Sequence, residues 1–321
     1  MNKVLHQIKD FNESFAAMKE IGDYKYLPTF FDFVGAMLKY GASASDYFGF
    51  EFYNRKDSAR GQFVCWKLKK RFMHAINDYS KAHIFDNKVE FLREFDGFAG
   101  RRWLDVKAST PEQFEEFCKS NPEFIAKAQN LSCGKGIRKV TVGDDVQALY
   151  EQLCEESALA EEIIVQHPEM SRLHPNAVNT IRVATVYIDG KMEILASALR
   201  CGRGSECVDN YRAGGFAAKV DPETGVVISD GSNFLNQRFY KHPETGVLFH
   251  GFQIPHWDKA IELLEKAVKV VPGVRYTGWD IVIRENDVVI VEGNFEGMFH
   301  ILQQPGNMGI KDKVLDVMNR L

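Results

Sequence analysis

The chain has 321 residues, 45% hydrophobic and 26% charged, enough for one large domain or two closely joined ones with an ample core. Its net charge of −4, from 44 acidic and 40 basic residues, gives no general attraction to nucleic acid, and none is expected as a partner. The six cysteines (65, 118, 133, 154, 201 and 207) form no C-x-x-C pair, which argues against zinc and disulfide frameworks and fits a reducing, cytoplasmic setting.

Residues 1–85 read as a helical N-terminal extension, rich in Phe and Tyr and poor in β-branched runs. Met1 leads into polar "NKVLHQIKDFNESF" rather than an apolar secretory core. The most apolar run here, "PTFFDFVGAML", is too short to span a bilayer and contains Asp32. No transmembrane segment is therefore expected. "FGFEFY" (48–53) reads as core. "CWKLKKRFMHAINDYSKA" (65–82) reads as a helix with a solvated basic face, a weak peripheral contact with an anionic membrane surface being the alternative.

From about residue 86 the pattern alternates between helix and strand. "DNKVEFLREF" offers Asp86 or Asn87 as N-cap, with Glu90 at capping-box spacing from Asn87. "TPEQFEEFCKS" (110–120) opens with Thr-Pro, a helix start. Then follow strand "EFIAKAQ", loop "NLSCGKG", strand "IRKVTV", helix "DDVQALYEQLCEES" and strand "EEIIVQ". Alternation puts Lys127 on one face with Ile125, opposite Phe124, Ala126 and Ala128. The loop supplies Ser132, Gly134, Lys135 and Gly136, whose glycines let backbone N–H groups converge on an anion; an ordinary hairpin turn is the plainer reading. Neither a Walker A loop nor G-x-G-x-x-G after a strand is present.

"HPEMSRLHPN" (167–176) holds two histidines without metal-helix spacing, and its prolines argue against a helix. The rest is strand-dominated: "NTIRVATVYIDG", "KMEILASALR" and "GGFAAKVDPETGVV", with two D/H-P-E-T-G-V turns at 221–226 and 242–247. Arg182 shares its strand face with Ala184, Val186 and Ile188. Burial there demands an anionic partner, either a structural carboxylate or a substrate. A helix, "WDKAIELLEKAVKVV", precedes the hairpin "GWDIVIRENDVVIVEGNFEG" (278–297), and "GIKDKVLDVMNRL" closes the chain as a helix.

In that hairpin, a three-residue turn at Glu285, Asn286 and Asp287 places Arg284 opposite Val288 and Asp280 opposite Glu292. Asn294 then shares the face of Glu292. Two adjacent carboxylates repel, so one takes up a proton unless a cation lies between them. Oxygen-only ligands of this kind suit Mg²⁺; solvated strand ends are the plainer reading of the hairpin alone.

In order, "DNKVEFL", "FIAKAQNLSCGKGI", "EEIIVQHPEMSRLHPNAVNTIRVAT", "VDNYRAGGFAAKVDPETG" and "GWDIVIRENDVVIVEGN" resemble the ATP-grasp superfamily, and within it the sugar-transfer-associated, α-L-glutamate ligase-related group. The resemblance runs from about residue 85 to 305. It implies an α+β ATP-grasp fold, in which two α+β lobes enclose a nucleotide cleft: 86–166 with the glycine-rich lid, and 167–321 with the metal site.

The resemblance also implies ATP and Mg²⁺ as cofactors. Lys88 and Lys127 match the ATP lysines, and Ser132 to Gly136 the lid over the β- and γ-phosphates. Glu161, Glu162, Ile163 and Ile164 match the adenine-reading hinge, where either acidic residue is open to the ribose. Asn179 and Arg182 match the catalytic N-T-x-R element, whose arginine faces the transferred phosphate or the acyl-phosphate intermediate. Asp280, Glu292 and Asn294 match the Mg²⁺ triad. Arg212, Gly214 and Gly215, in "DNYRAGG", and Gln303, in "QQPG", are expected on the acceptor side, with simple turns as the alternative. Cys133 stands where related lids often have glycine. Residues 1–85 do not read as the βαβ domain that precedes the fold in many ligases.

The activity expected is carboxylate–amine ligation through an acyl phosphate, on a small-molecule or sugar-linked acceptor. The first alternative is an ATP-grasp kinase acting on a hydroxyl or amide. The second is a non-catalytic nucleotide-binding module in a polysaccharide pathway. No oligomeric state follows from the sequence.

Overall fold

The computed structural model describes residues 3–19, 22–129, 136–204, 211, 214–297 and 299–321. The N-terminal region is helical, as its composition suggests. Helices Lys3–Lys19, Tyr26–Tyr40 and Ala44–Gly49 pack around Phe11, Phe33, Tyr47, Phe50 and Phe52. Ser43 and Asp46 close a reciprocal capping box at the start of the third. The basic stretch folds as helix Trp66–Ile76. It buries Phe72, Met73 and Ile76 in one cluster with Val186, Val314 and Val317 and leaves Lys67, Lys70 and Arg71 exposed. No helix among the described residues is long and apolar enough to cross a membrane.

A four-stranded antiparallel sheet follows, in the order β1-β4-β2-β3. Its strands are β1 Trp103–Asp105, β2 Glu123–Ala128, β3 Ile137–Thr141 and β4 Ala158–Glu162. Helices Pro111–Ser120 and Val146–Glu155 cover one face through Phe114, Phe117 and Leu153. Thr110 caps the first of these with a full capping box to Gln113. Asn87 caps helix Lys88–Glu94 by accepting from Val89 and Glu90 N–H, while the Glu90 carboxylate turns to His83 at 3.6 Å.

The larger sheet has seven antiparallel strands in the order β11-β10-β5-β6-β7-β8-β9. They are β5 Ile181–Ile188, β6 Lys191–Cys201, β7 Phe216–Val220, β8 Gly231–Ser232, β9 Arg238–Phe239, β10 Tyr276–Ile283 and β11 Val288–Asn294. Helix Trp257–Ala267 packs on one face. Helices Trp66–Ile76, Phe299–Gln303 and Lys311–Asn319 pack on the other.

Three sequence expectations need correction. The strand expected at "EEIIVQ" starts earlier, at Ala158, and ends at Glu162. Beyond it Gln166 is held by side-chain bonds to the carbonyls of His174 and Ala177, so 163–167 cross between the sheets. "HPEMSRL" does form a short helix, Pro168–Leu173. Its proline occupies the first helical position, where a missing N–H costs nothing, and the His167 ring accepts from Glu169 N–H. Finally, the hairpin turn is tighter than expected: Ile283 faces Val288, and Arg284 N–H bonds the Asp287 carbonyl. Asp280 still faces Glu292, because a β-bulge between the pairs Ile281–Ile290 and Asp280–Glu292 restores the register.

Candidate functional site

Asp280 on β10 lies directly opposite Arg182 on β5. The Arg182 fork grips the carboxylate through Nε and through Nη2 at 2.8 Å. Arg200 reaches the same carboxylate from β6, with Nη1 at 2.8 Å. Alternation explains this: Ala198 is the register partner of Arg182, and Arg200 lies two residues further along that face. Burial alone would raise the Asp280 pKa, but Arg182 and then Arg200 hold it at about 2. Arg182 Nη1 is buried without a hydrogen-bond partner among the described residues. A donor of this kind suits a phosphate oxygen.

Glu292 behaves in the opposite way. Burial and then the neighbouring Asp280 carboxylate push its pKa above the ordinary glutamate value, with Arg182 opposing. Two carboxylates this close repel unless a proton or a cation screens them. Asn294 completes the group, its amide donating to the Gly278 carbonyl at 3.2 Å and to Glu292 at 3.3 Å. Three oxygen-bearing side chains therefore meet, with Asp280 opposite Glu292 and Asn294 bonded to Glu292. The set fits Mg²⁺, a hard cation that takes oxygen ligands.

The smaller sheet and the segments leading into it supply the cations. Lys127 Nζ lies 2.8 Å from Glu161 on β4. Arg101 grips the other oxygen of Glu161 through Nε and bonds the carbonyls of Ile290 and Val291. These are backbone groups at the bulge, where an extra residue interrupts the ladder. Arg101 thus ties the small sheet to the strand carrying Glu292. Burial would raise Glu161, yet Lys127 and Arg101 hold it at about 2. Lys88 bonds the carbonyls of Ala128 and Gln129 at 3.1 and 3.4 Å. Burial lowers its pKa, Lys127 adds to that, and Glu292 and Glu161 oppose it. Lys88 therefore feels charges from both sheets.

The structure brings Lys88, Lys127, Glu161, Arg182, Asp280, Glu292 and Asn294 together. Glu162 lies beside them on β4, its carboxylate accepting from Arg102 N–H at 3.0 Å. Ile163 and Ile164 are half-buried on the crossover. Ser132, Gly134, Lys135 and Arg212 lie outside the described residues. Gly136 has φ 71° and its carbonyl accepts from Ala128 N–H, a backbone position that favours glycine. Gly214 has φ 103°, and Gly215 is buried just before β7.

Two expected side chains face elsewhere. Asn179 is fully buried, donating to Gln166 Oε1 and to the carbonyls of Met170 and His174. It therefore holds the loop before Arg182 in place. Gln303 is also fully buried. It accepts from Val64 and Ile310 N–H and donates to the Val64 carbonyl. Its place is a tie between the N-terminal region and the larger sheet's helices, not an acceptor surface. Arg101 and Arg200 were missed. Arg200 carried a signal, the alternation of "ASALR", whereas Arg101 precedes a strand that sequence patterning did not reveal.

The family model described as sugar-transfer associated ATP-grasp matches residues 67–319, starting earlier than the resemblance read from motifs. With the two antiparallel sheets and the helical N-terminal region, the fold is the α+β ATP-grasp fold. Among solved structures, the chain is similar to the ATP-grasp ligase PsnB complexed with a phosphomimetic variant of its minimal precursor, Mg and ADP. Identity is 15%, TM-score 0.46, with 79% of this chain and 64% of that chain covered. Carboxyaminoimidazole ribonucleotide synthase from Aspergillus clavatus, complexed with ATP, gives 15%, 0.43, 68% and 46%. D-alanyl-alanine synthetase A from Vibrio cholerae gives 14%, 0.41, 74% and 65%. The chain thus spans just under two thirds of the first of these and less than half of the second. A search of curated protein sequences finds no match.

Proposed function

Because the chain belongs to the sugar-transfer associated ATP-grasp family, we propose that it is an ATP- and Mg²⁺-dependent carboxylate–amine ligase forming an amide through an acyl phosphate. The observation that carries this reading is the meeting of Lys88, Lys127 and Arg182 around the Asp280–Glu292–Asn294 oxygen group. Divisions at about residues 85 and 166 belong to the same reading.

Asp280, Glu292 and Asn294 would hold the metal, which supplies charge neutralisation at phosphate oxygens. Lys88 and Lys127 would bind the nucleotide phosphates, with Lys127 turning from Glu161 to do so. The hinge, Glu161 to Ile164, would meet the nucleotide, its backbone reading the base and Glu161 or Glu162 the ribose. Arg182 would offer its free Nη1–H to the transferred phosphoryl group, while Arg200 holds Asp280 from the other side. The acceptor carboxylate attacks the γ-phosphorus and ADP leaves; the amine then displaces phosphate from the acyl phosphate. No protein nucleophile is needed, only positioning and charge compensation.

The test is ATP turnover with Mg²⁺ against amino acids and sugar acids, scoring ADP, AMP and phosphate separately. ADP and free phosphate that appear only with acid and amine together support the ligase. ADP without free phosphate, from a single acceptor, makes the protein a kinase. AMP contradicts the acyl-phosphate scheme.

A further inference from the structure

We propose a second metal site, of zinc type, formed by His174, His242 and Glu244 at the end of β6. One ligand atom from each residue lies within 4.8 Å of the others. His174 follows the short helix Pro168–Leu173, while His242 and Glu244 belong to the second of the two P-E-T-G-V turns. Both histidines are fully buried.

His174 carries the first argument. Neither of its ring nitrogens has a hydrogen-bond partner among the described residues, although such a group in the interior normally finds one. Its nearest anion is the Glu244 carboxylate, 3.5 Å from Nδ1. Gly202 makes room for His174: a Cβ there would lie 2.6 Å from the ring.

The second argument comes from comparing the two turns. Asp221 closes the first by accepting from Glu223 N–H at 3.1 Å. In the second, His242 Nδ1 faces the N–H groups of Glu244 and Thr245 at 3.4 and 3.5 Å, a looser contact. A carboxylate therefore closes such a turn better, and the turn gives no reason for a histidine. What His242 gains is the His174 ring, 5.5 Å away between centroids. Its Nε2 lies 3.0 Å from the Gly202 carbonyl. Donation there fixes the tautomer, as outer-shell carbonyls do for metal-bound histidines, and Nδ1 would exchange its two loose N–H contacts for the ion. Two imidazoles and one carboxylate suit Zn²⁺, with a fourth position for water, and suit Mg²⁺ poorly.

The site would clamp the chain just past Arg200. The Glu244 carboxylate already accepts from Gly204 N–H at 2.8 Å, and Thr245 bonds the Leu173 carbonyl. A bound ion would lock these segments together four residues from the arginine that holds Asp280.

The experiment is Zn²⁺ binding to the full chain, free of any histidine tag and with Mg²⁺ in excess. Metal content after equilibrium dialysis is read alongside the thermal midpoint. One Zn²⁺ per chain is expected, raising the midpoint. Glu244→Gln, at a partly exposed side chain that leaves the core intact, is expected to weaken binding at least ~10-fold, as is His174→Gln. Asp280→Asn, in the proposed Mg²⁺ site, is expected to bind Zn²⁺ as the wild type does. The proposal is overturned if the wild type takes up no stoichiometric Zn²⁺. It is equally overturned if Glu244→Gln binds normally, or if Asp280→Asn alone loses the ion.

Discussion

Arg182 and Asp280 face each other across the β5–β10 ladder, and the Arg182 guanidinium grips the carboxylate with two bonds at a place where both side chains are buried. Removing one partner of such a pair leaves the other charge buried and unpaired, at a cost of about 3–5 kcal/mol. Asp280→Ala strands the Arg182 fork and also takes a partner from Arg200, which binds the same carboxylate. It is expected to lower the denaturant midpoint strongly and also to abolish Mg²⁺-dependent turnover.

Glu292→Gln should separate stability from function. The Glu292 carboxyl is held toward its neutral form by burial and by Asp280, so a neutral amide of the same shape removes repulsion. Metal-free stability is expected to be unchanged or higher. Turnover is expected to fall ~10²–10³-fold, by analogy with the loss of one charge-stabilising contact. Urea unfolding and steady-state kinetics on the same preparation check both halves.

The two carboxyls also predict opposite pH trends. Asp280 is depressed, so its contribution to stability is present above the ordinary aspartate value and is lost as pH falls toward about 2. Glu292 is raised, so its contribution is complete below the ordinary glutamate value and is lost as pH rises through the raised one. Metal-free protein is therefore expected to lose stability on passing upward through that window. Glu292→Gln should lack the loss, and Mg²⁺-nucleotide should reverse it in the wild type. Thermal midpoints across pH, with and without ligand, give the comparison.

Gln303→Leu tests the place of Gln303 as a tie between Val64 and Ile310. Losing its side chain leaves Val64 and Ile310 N–H groups without their partner, at about 1–3 kcal/mol for a buried unsatisfied group. A destabilised enzyme with an unchanged acceptor KM is expected. A raised KM at unchanged stability would return Gln303 to the acceptor side.

What could be read in the sequence follows from the range of the forces involved. Alternation along a strand is local, so the shared faces of Lys127, Arg182 and the Asp280–Glu292–Asn294 group were legible. The opposition of Asp280 and Glu292 was found through an incorrect turn: the real turn is one residue tighter, and the bulge at Val291 adds the residue back. Arg101 was invisible because its partners, Glu161 and the carbonyls of Ile290 and Val291, lie far away in the chain. Asn179 and Gln303 were misread for the same reason. A buried amide that satisfies backbone groups looks, in sequence, like one that meets a ligand. The histidines of "HPEMSRLHPN" lacked metal spacing among themselves, and the partners of His174 belong to a turn nearly seventy residues later.

The most direct measurement is calorimetric titration of a non-hydrolysable ATP analogue into the wild type and Glu292→Gln, with and without Mg²⁺. The expected result is wild-type binding that strengthens with Mg²⁺, and a folded Glu292→Gln variant in which that dependence is lost. Nucleotide binding indifferent to Mg²⁺, or a Glu292→Gln variant titrating like the wild type, would contradict the metal–nucleotide site at Asp280, Glu292 and Asn294.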